Sequence, residues 1–238
     1  MGRVISIVNE KGGVGKSTTA WYLAKAFAEK GKNTLLIDAD PLSGLSLRNP
    51  DAECNGGLMK YLTDIVEPHD CLTGLSPTLD ILLGSSDMIG YELGPADYCN
   101  NRCLNQIIRI LKKDYEFVVI DTPSSLGLIT EHALMESDRV IVPVCCDYFA
   151  MDEISQAMKL IHSISMRGNE NLRLDHFLIT RFGLSLRSSS RVLDEIQIRY
   201  QDLLFKAVIP ECSKLNAGCW KEGDLESAYM KVADELIY

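Results

Sequence analysis

The chain has 238 residues, of which 46% are hydrophobic and 24% charged, a length and composition ordinary for a globular protein with a substantial core. Its formal net charge of −9 excludes a protein whose whole surface binds nucleic acid, although it allows a local basic patch. The length favours a single domain over residues 1–238. Neither a run of about 18 apolar residues nor a signal-peptide pattern occurs, so we expect a cytoplasmic protein.

Cysteine usage agrees with that expectation. No two cysteines have the C-x-x-C spacing of a zinc or redox site, and a cytoplasmic setting disfavours disulfides. We therefore expect free thiols, packed mostly as small apolar groups, with Cys145 and Cys146 close to the ligand because they follow a predicted strand. The eight cysteines are Cys54, Cys71, Cys99, Cys103, Cys145, Cys146, Cys212 and Cys219.

The first predicted strand, Val4–Val8, leads into a glycine-rich turn and then into a helix whose apolar periodicity begins at Thr19 and ends near Gly31. Glycines in such a turn adopt backbone angles that a Cβ disfavours, which lets successive N–H groups point at one anion. The positive end of the helix strengthens that attraction. The pattern predicts a phosphate-binding loop made of Lys11, Gly12, Gly13, Val14, Gly15, Lys16, Ser17 and Thr18.

Two side chains of this loop add specific chemistry. The Lys16 ammonium can reach β- and γ-phosphate oxygens, and the Ser17 hydroxyl is placed to ligate a phosphate-bound Mg²⁺. The loop departs from the common motif, because Glu10 stands where a glycine is usual and Lys11 is an additional lysine. This extra charge suggests that Lys11 serves a second site or a second subunit.

Two carboxylates follow the second predicted strand, Thr34–Ile37. In an open parallel sheet, ligands bind at the carboxyl ends of strands, so Asp38 and Asp40 are expected to face the same phosphates as Lys16. The alternative is a solvated turn that is closed by Pro41.

The middle of the chain carries weaker signals, which predict a short helix at Leu58–Ile65, a strand at Leu79–Leu83 and a helix at Asn105–Lys113. A stronger signal follows, because the apolar strand Phe117–Ile120 ends in Asp121. We predict that Asp121 holds Mg²⁺ through the water shell of the ion, a capping role being the alternative.

The alternation of strands and helices continues to the end of the chain. The later elements are strands at Arg139–Val144, Phe177–Thr180 and Phe205–Ile209, and helices from Asp152, at Arg187–Tyr200 and at Leu225–Ile237. This order predicts an α/β fold, a single-domain doubly wound, mostly parallel sheet flanked by helices, of the P-loop NTPase type.

Several of these stretches together resemble the ParA/Soj branch of the deviant-Walker-A ATPases, SIMIBI-class P-loop NTPases that drive DNA partition in bacteria. The stretches are Lys11–Thr18, residues 38–41, Tyr115–Pro123 and Asp138–Pro143, with weaker matches at Val208–Pro210 and residues 227–229. The resemblance implies an ATPase with ATP and Mg²⁺ as cofactors and slow, partner-stimulated hydrolysis. Its implied partners are a second copy in an ATP-dependent homodimer, nonspecific DNA and a centromere-binding, ParB-like adaptor, without a membrane. A cytoplasmic, nucleoid-associated protein that segregates a plasmid or a chromosome would follow.

The resemblance also assigns roles to individual residues. Lys11 matches the signature lysine that reaches the partner's phosphates in a nucleotide-sandwich dimer, and Gly12 the residue that permits close approach. Asp40 would orient the attacking water, and Pro210 would lie in the segment that contacts adenine. The implied catalytic residues are thus Lys11, Lys16 and Asp40, and the implied metal-binding residues are Ser17, Asp38 and Asp121.

Two stretches depart from the family pattern. Leu42-Ser43-Gly44 follows Pro41 where the family usually has glutamine, glycine and asparagine, which suggests a different response of this switch region to nucleotide. Arg181-Phe182-Gly183 follows the strand that ends at Thr180, in a stretch where many relatives carry an aspartate, so the resemblance assigns no base contact there.

Charge is consistent with DNA as a partner. Residues 181–221 include seven basic and four acidic side chains, a net charge of +3 within a chain of −9. This local excess of positive charge suits weak, sequence-independent binding to DNA phosphates, which a dimer would double. The alternative is a solvated helix with ordinary charges. Arg187 and Lys214 align best with the basic residues that the family uses for DNA.

Three other functions compete with DNA partition. A MinD-like positioning ATPase needs a basic amphipathic C-terminal helix, but residues 234–238 are acidic. A reductase or metal-delivery protein similar to the nitrogenase iron protein needs cysteines after the Asp121 strand, where residues 122–125 contain none. A nucleotide-binding scaffold with little hydrolysis is compatible with the altered switch region.

Overall fold

The computed structural model of the chain describes residues 2–42, 45, 57–63, 66–93, 102–182, 187–211 and 222–237. Its strands are β1 (Arg3–Ile7), β2 (Thr34–Asp38), β3 (Thr73–Ser76), β4 (Leu79–Leu82), β5 (Phe117–Asp121), β6 (Arg139–Cys145) and β7 (Arg173–Thr180). Its helices are α1 (Lys16–Glu29), α2 (Gly57–Thr63), α3 (Met88–Leu93), α4 (Leu104–Leu111), α5 (Leu128–Glu136), α6 (Ala150–Arg167), α7 (Arg187–Tyr200) and α8 (Glu222–Ile237).

The seven strands form one sheet in the order β3-β4-β2-β5-β1-β6-β7. Every neighbouring pair is parallel except β3 with β4, which is antiparallel. The predicted doubly wound, mostly parallel sheet is therefore confirmed. β1 lies between β5 and β6, so the loop after β1 opens at the centre of the carboxyl edge, where such sheets bind ligands.

Helices cover both faces of the sheet, and each central strand supplies apolar side chains to both layers. In β5, Phe117 and Val119 pack into the cluster under α1 and α8, whereas Val118 and Ile120 pack into the cluster under α2, α4 and α5. This two-sided burial is why the central strands are almost continuously apolar. Of the helices in the described ranges, none combines the length and the apolar character needed to cross a bilayer.

Three elements escaped the sequence analysis because their local signals are short or irregular. The edge strand β3 is Thr-Gly-Leu-Ser with every second residue exposed, and α3 has only six residues. Helix α5 begins after Gly127 and packs between α4 and α6, where both neighbours help to bury it. The helix predicted at Leu58–Ile65 is confirmed as α2 up to Thr63, and residues 64 and 65 lie outside the described ranges.

The prediction of a strand at Phe205–Ile209 is wrong. This segment runs beside β7 and donates to it from the N–H groups of Phe205 and Ile209, at 3.2 and 2.8 Å. The pairing stays irregular, with isolated parallel bridges at Leu204 and, beyond the end of β7, at Pro210. Between those bridges the backbone N–H groups of Lys206 and Ala207 donate to the Glu235 carboxylate of α8 instead. The acid on the neighbouring helix thus takes the donors that a ladder would need.

Candidate nucleotide-binding site

The predicted phosphate-binding loop connects β1 to α1. Gly13 and Gly15 have φ angles of +76° and +96°, in the left-handed region that favours glycine. Gly15 directly precedes the first turn of α1, and no side chain of the described residues caps this 14-residue helix. A helix N-terminus without such a cap attracts a phosphate through its N–H groups and its dipole.

Lys16 is the buried cation of the loop. Its side chain belongs to a residue that is 5% exposed, and its Nζ donates to the Lys11 carbonyl at 3.1 Å and to Ser124 Oγ at 2.8 Å. Burial lowers the pKa of the Lys16 ammonium, while the charges of Asp121 and Asp40 act in the opposite direction. Because both hydrogen-bond acceptors are neutral, a phosphate oxygen would be a stronger partner for this cation.

Asp38 and Asp121 stand side by side at the carboxyl ends of neighbouring strands. They are register partners in the β2–β5 pair, and both residues are fully buried. Burial raises the pKa of Asp121 to about 8, and the negative charges of Asp38 and Asp40 add to this effect. The nearby Ser17 hydroxyl favours the ionised form, yet neither carboxylate oxygen of Asp121 accepts a hydrogen bond of regular geometry from a described residue.

These acids fit a magnesium site. A buried carboxylate whose two oxygens have no regular donor is costly in a protein interior, and a divalent cation would remove that cost. The described residues contain no cluster of three or more His, Cys, Asp and Glu that could hold a metal unaided. Mg²⁺ at this place would therefore depend on Ser17, Asp121, water and phosphate oxygens together, which is the usual composition of a nucleotide–magnesium site.

Asp40 lies at the same edge but in a more open environment. Its backbone N–H donates to Asp38 Oδ1 at 3.3 Å, and its own Oδ1 accepts the N–H of Leu42 at 2.9 Å. Leu42 is 81% exposed, and residues 43 and 44 of the altered switch lie outside the described ranges. The local turn therefore orients the Asp40 carboxylate, whose negative charge acts on Lys16 of the loop.

Lys11 lies in an ion-pair cluster within its own chain. Its Nζ contacts Asp147 Oδ2 at 2.5 Å and Glu153 Oε1 at 2.8 Å, and Asn9 Nδ2 donates to the other Glu153 oxygen at 3.2 Å. Partial burial lowers the pKa of Lys11, but the hydrogen bonds to Asp147 and Glu153 outweigh it and leave this pKa raised. We call Asn9, Lys11, Asp147 and Glu153 the Lys11 cluster.

The sequence analysis missed the acids of this cluster. Asp147 follows the parallel strand β6 and Glu153 lies in the first turn of α6. The signal was available for Asp147, since an acid after a buried strand had been used to identify Asp121. The contact with Lys11 depends on β6 lying next to β1, which no local pattern specifies.

A cavity of about 530 Å³ continues from the loop along the end of β7. Its walls include Gly13 and Thr18 on one side and Thr180, Pro210 and Tyr229 on the other. The Thr180 hydroxyl donates to the Val14 carbonyl at 2.7 Å, which ties β7 to the loop. Pro210 thus lines the same cavity as residues of the predicted phosphate-binding loop, and its contact with a base stays a prediction.

The remaining predicted residues are two basic residues and the cysteines. Arg187 begins α7, although its side chain is outside the described part of the structure, and Lys214 lies outside it altogether. Cys145 and Cys146 are buried free thiols, and Cys145 lies close to the site, because its Sγ is 3.7 Å from the Thr180 hydroxyl oxygen. Burial raises the pKa of both thiols, that of Cys146 to about 11, so neither is a reactive thiolate. Cys71 and Cys103 are also free, as predicted, and the other four cysteines lie outside the described ranges.

Comparison with known proteins agrees with this geometry. A family model described as an AAA domain, AAA_31, matches residues 2–174. The sporulation initiation inhibitor protein Soj of Bacillus subtilis is 31% identical over 222 residues, which cover 91% of this chain and 87% of that protein. The chromosome partitioning protein ParA of Caulobacter vibrioides is 31% identical over an alignment of 259 positions, which covers 99% of this chain and 94% of that protein.

Solved structures give the same result for the fold. Cobyrinic acid a,c-diamide synthase from Mycobacterium smegmatis, with bound ADP and magnesium, has a TM-score of 0.83 at 29% identity and covers 100% of this chain and 94% of that chain. A putative plasmid partition protein from Borrelia burgdorferi, bound to AMPPNP, has a TM-score of 0.80 at 22% identity and covers 99% of this chain and 98% of that chain. The family model and the bacterial relatives confirm the resemblance seen in the sequence, and the chain belongs to the ParA/Soj family of P-loop ATPases.

Proposed function

We propose that this protein is an ATP-driven switch for DNA partition. In this proposal the chain binds ATP with Mg²⁺, forms a homodimer in the ATP state and grips DNA without sequence preference, and slow hydrolysis then releases it. The observation that carries the proposal is the convergence of Lys16, Ser17 and the buried pair Asp38 and Asp121 at one helix N-terminus.

We assign the roles within this site as follows. The loop from Gly12 to Thr18 holds the phosphates, and Lys16 neutralises their charge. Ser17 and Asp121 hold Mg²⁺ and Asp38 supports them, which uses the buried carboxylate oxygens of Asp121. Asp40, the more open carboxylate, orients the water that attacks the terminal phosphate.

The surroundings of Lys11 support the proposal that two copies of the chain share the nucleotide site in a homodimer. Its ion pairs with Asp147 and Glu153 hold it within its own chain, so a contact with a partner's phosphates requires these pairs to open. The exposed aromatic residues Tyr148 and Phe149 flank it, and the Lys11 ammonium lies 5.7 Å from the Phe149 ring centroid. Exposed aromatic side chains beside a binding site are typical of a protein–protein contact.

Helix α7 supports DNA as a partner. Arg191 and Arg199 are exposed on it, within a region of net charge +3 that also contains Arg187 and Lys214. Arg199 is paired with Glu195 at 2.9 Å on the helix surface, a pair that a DNA phosphate could compete with because both residues are exposed. DNA binding would place the protein on the nucleoid in the cytoplasm, where a ParB-like adaptor would stimulate hydrolysis.

The C-terminal helix favours DNA over a membrane as the surface that is bound. Val232 and Ala233 of α8 are fully buried, and Lys30 of α1 pairs with Asp234 at 2.6 Å. A helix that packs in this way is not available as a membrane anchor of the MinD type.

An ATPase assay with and without duplex DNA of unrelated sequence tests the proposal. We expect slow hydrolysis that depends on Mg²⁺ and rises with DNA and an adaptor, and loss of ATP binding in Lys16→Ala. Binding of ATP without turnover and without any effect of DNA would replace the proposal with the scaffold function.

A further inference from the structure

Glu92 joins the short helix α3 to the segment that follows strand β5. Its Oε1 accepts a hydrogen bond from the Ser125 hydroxyl at 2.9 Å, and its Oε2 accepts the backbone N–H of Ile129 at 2.8 Å. Ser125 lies in the segment between Asp121 and α5, and Ile129 lies in the first turn of α5. One carboxylate therefore holds both this segment and the helix that follows it.

The start of α5 is built around the Glu92 carboxylate. Gly127 is the N-cap residue of α5 and has no side chain with which to cap it, so Glu92 supplies an acceptor from another helix. A Cβ at Gly127 would overlap the Glu92 carboxylate. The φ angle of Gly127 is −88°, which other residues adopt as well. Glycine is therefore favoured here by the close approach of Glu92 and not by the backbone conformation.

Helix α3 is fixed by contacts with its neighbours. The Tyr91 hydroxyl oxygen accepts the backbone N–H of Leu104 at 3.1 Å, and the same hydroxyl is hydrogen-bonded to His132 Nδ1 of α5. The loop that leads into α3 lies against the metal-site acids, because a Cβ at Gly84 would be 2.5 Å from the Asp38 carbonyl oxygen. The acid on α3 is therefore presented from a rigid support.

The segment that Glu92 holds reaches the phosphate-binding lysine. Ser124, the neighbour of Ser125, accepts a hydrogen bond from Lys16 Nζ at 2.8 Å. The Ser125 carbonyl in turn accepts the Thr130 hydroxyl at 2.7 Å, which adds a second link between the segment and α5. A lysine in this position binds the β- and γ-phosphates, so the segment lies one hydrogen bond from the group that meets the terminal phosphate.

On the basis of the proposed ATP hydrolysis, we propose that Glu92 is a positioning residue for this reaction. Through Ser125 and Ile129 it holds residues 122–127 in place beside Lys16, and so fixes the surface that the terminal phosphate meets. The N–H groups of the phosphate loop bind the nucleotide without help from α3. Loss of Glu92 should therefore impair turnover and leave binding intact.

ATPase kinetics together with calorimetric titration by MgADP separate positioning from a general structural role. We expect Glu92→Ala to lower kcat per MgADP-binding site about tenfold, because small displacements near a reacting group have effects of this size or larger. The KM for ATP and the affinity for MgADP should stay within about twofold of the parent values, since binding is not affected. Counting the binding sites by calorimetry removes the contribution of unfolded protein from kcat.

Two further variants serve as controls. Glu92→Gln should retain most of kcat, because its amide oxygen can accept the N–H of Ile129 and its NH₂ group can donate to the Ser125 hydroxyl. Glu131→Ala should behave like the parent, because it also removes an acid near the start of α5, but one that pairs with Arg167 at 2.9 Å.

Gly127→Ala tests the same contact from the opposite side. Its methyl group would displace the Glu92 carboxylate, so we expect a loss of kcat similar to that of Glu92→Ala and little further loss when the two substitutions are combined. Should Glu92→Ala bind no MgADP, Ser125→Ala, which removes one of the two hydrogen bonds, serves in its place.

Parental kcat in both Glu92→Ala and Gly127→Ala would overturn the inference, and so would effects of these two substitutions that simply add. A loss of kcat that follows a loss of ATP-dependent dimers in light scattering would also overturn it, because Glu92 would then act on dimer formation. Absence of hydrolysis in the unmodified protein would contradict the proposed function and, with it, this role of Glu92.

Discussion

Among single residues, the buried carboxyl group of Asp121 lowers the free energy of unfolding of the nucleotide-free protein. Its carboxylate is buried without a regular hydrogen-bond donor, and burial raises its pKa from 3.8 to about 8. The folded protein therefore holds a proton that the unfolded chain has lost, so this residue makes stability fall as the pH rises from 3.8 to about 8. Burying such a group is unfavourable for folding, and the proposed Mg²⁺ would offset that cost.

Asp121→Asn should therefore stabilise the nucleotide-free protein. In the presence of EDTA we expect its melting temperature to exceed that of the parent by a few degrees at pH 8, and by less at pH 5, because the ionisation penalty is larger at pH 8. The same substitution should abolish Mg²⁺-dependent ATP binding. Thermal melts at the two pH values measure the first effect and calorimetry the second. A lower melting temperature at both pH values would show that Asp121 is a structural acid.

At the scale of elements, the strands that position the site were predictable because each is buried on both faces. β1, β2, β5 and β6 agree with their predicted ranges within two residues, and the acids at their carboxyl ends follow from that agreement. The Lys11 cluster was not predictable, because it joins a loop, a strand end and a helix that meet through the sheet order. The segment after Leu204 was predicted wrongly because Glu235, distant in sequence, accepts the N–H groups of Lys206 and Ala207.

The Lys11 cluster predicts a variant that dimerises more readily. Asp147→Asn weakens one of the two ion pairs that hold Lys11 in its own chain, and Asp147 is half exposed, so the gain is that of a surface pair, under about 1 kcal/mol. We expect dimers at an ATP concentration up to about fivefold lower, measured by light scattering.

Asp152→Asn is the control for this variant, because it removes the same charge from the exposed side of α6. Lys11→Ala should prevent dimers at all ATP concentrations. Dimers that form equally well in Lys11→Ala would contradict the role of this lysine.

At the scale of the whole molecule, the last helix is joined to the helix that begins the phosphate site. The Tyr229 hydroxyl of α8 shares a hydrogen bond of 2.9 Å with Thr19 of α1, and its ring stacks on Tyr22 with centroids 5.5 Å apart. Lys25 and Glu226 add an ion pair at 3.0 Å. These contacts support the proposal that residues 1–238 form a single domain.

A single domain should unfold in one cooperative transition. We expect calorimetric melting to give one peak, and MgATP at about one hundred times its dissociation constant to stabilise the fold by about 2.7 kcal/mol and move the whole peak upward. Two separate peaks, of which only one responds to MgATP, would show that the chain contains a second folding unit.

In the proposed function, binding of ATP causes two copies of this chain to form a dimer that binds DNA. This proposal can be tested by sedimentation velocity of the Asp40→Ala variant with ATP, Mg²⁺ and a duplex of unrelated sequence, because we expect loss of Asp40 to preserve ATP binding and block hydrolysis. We expect a dimer that sediments with the DNA in ATP and a free monomer in ADP, and a free monomer in both nucleotides for Lys16→Ala. An Asp40→Ala protein that binds ATP but stays a monomer and leaves the DNA free would contradict it.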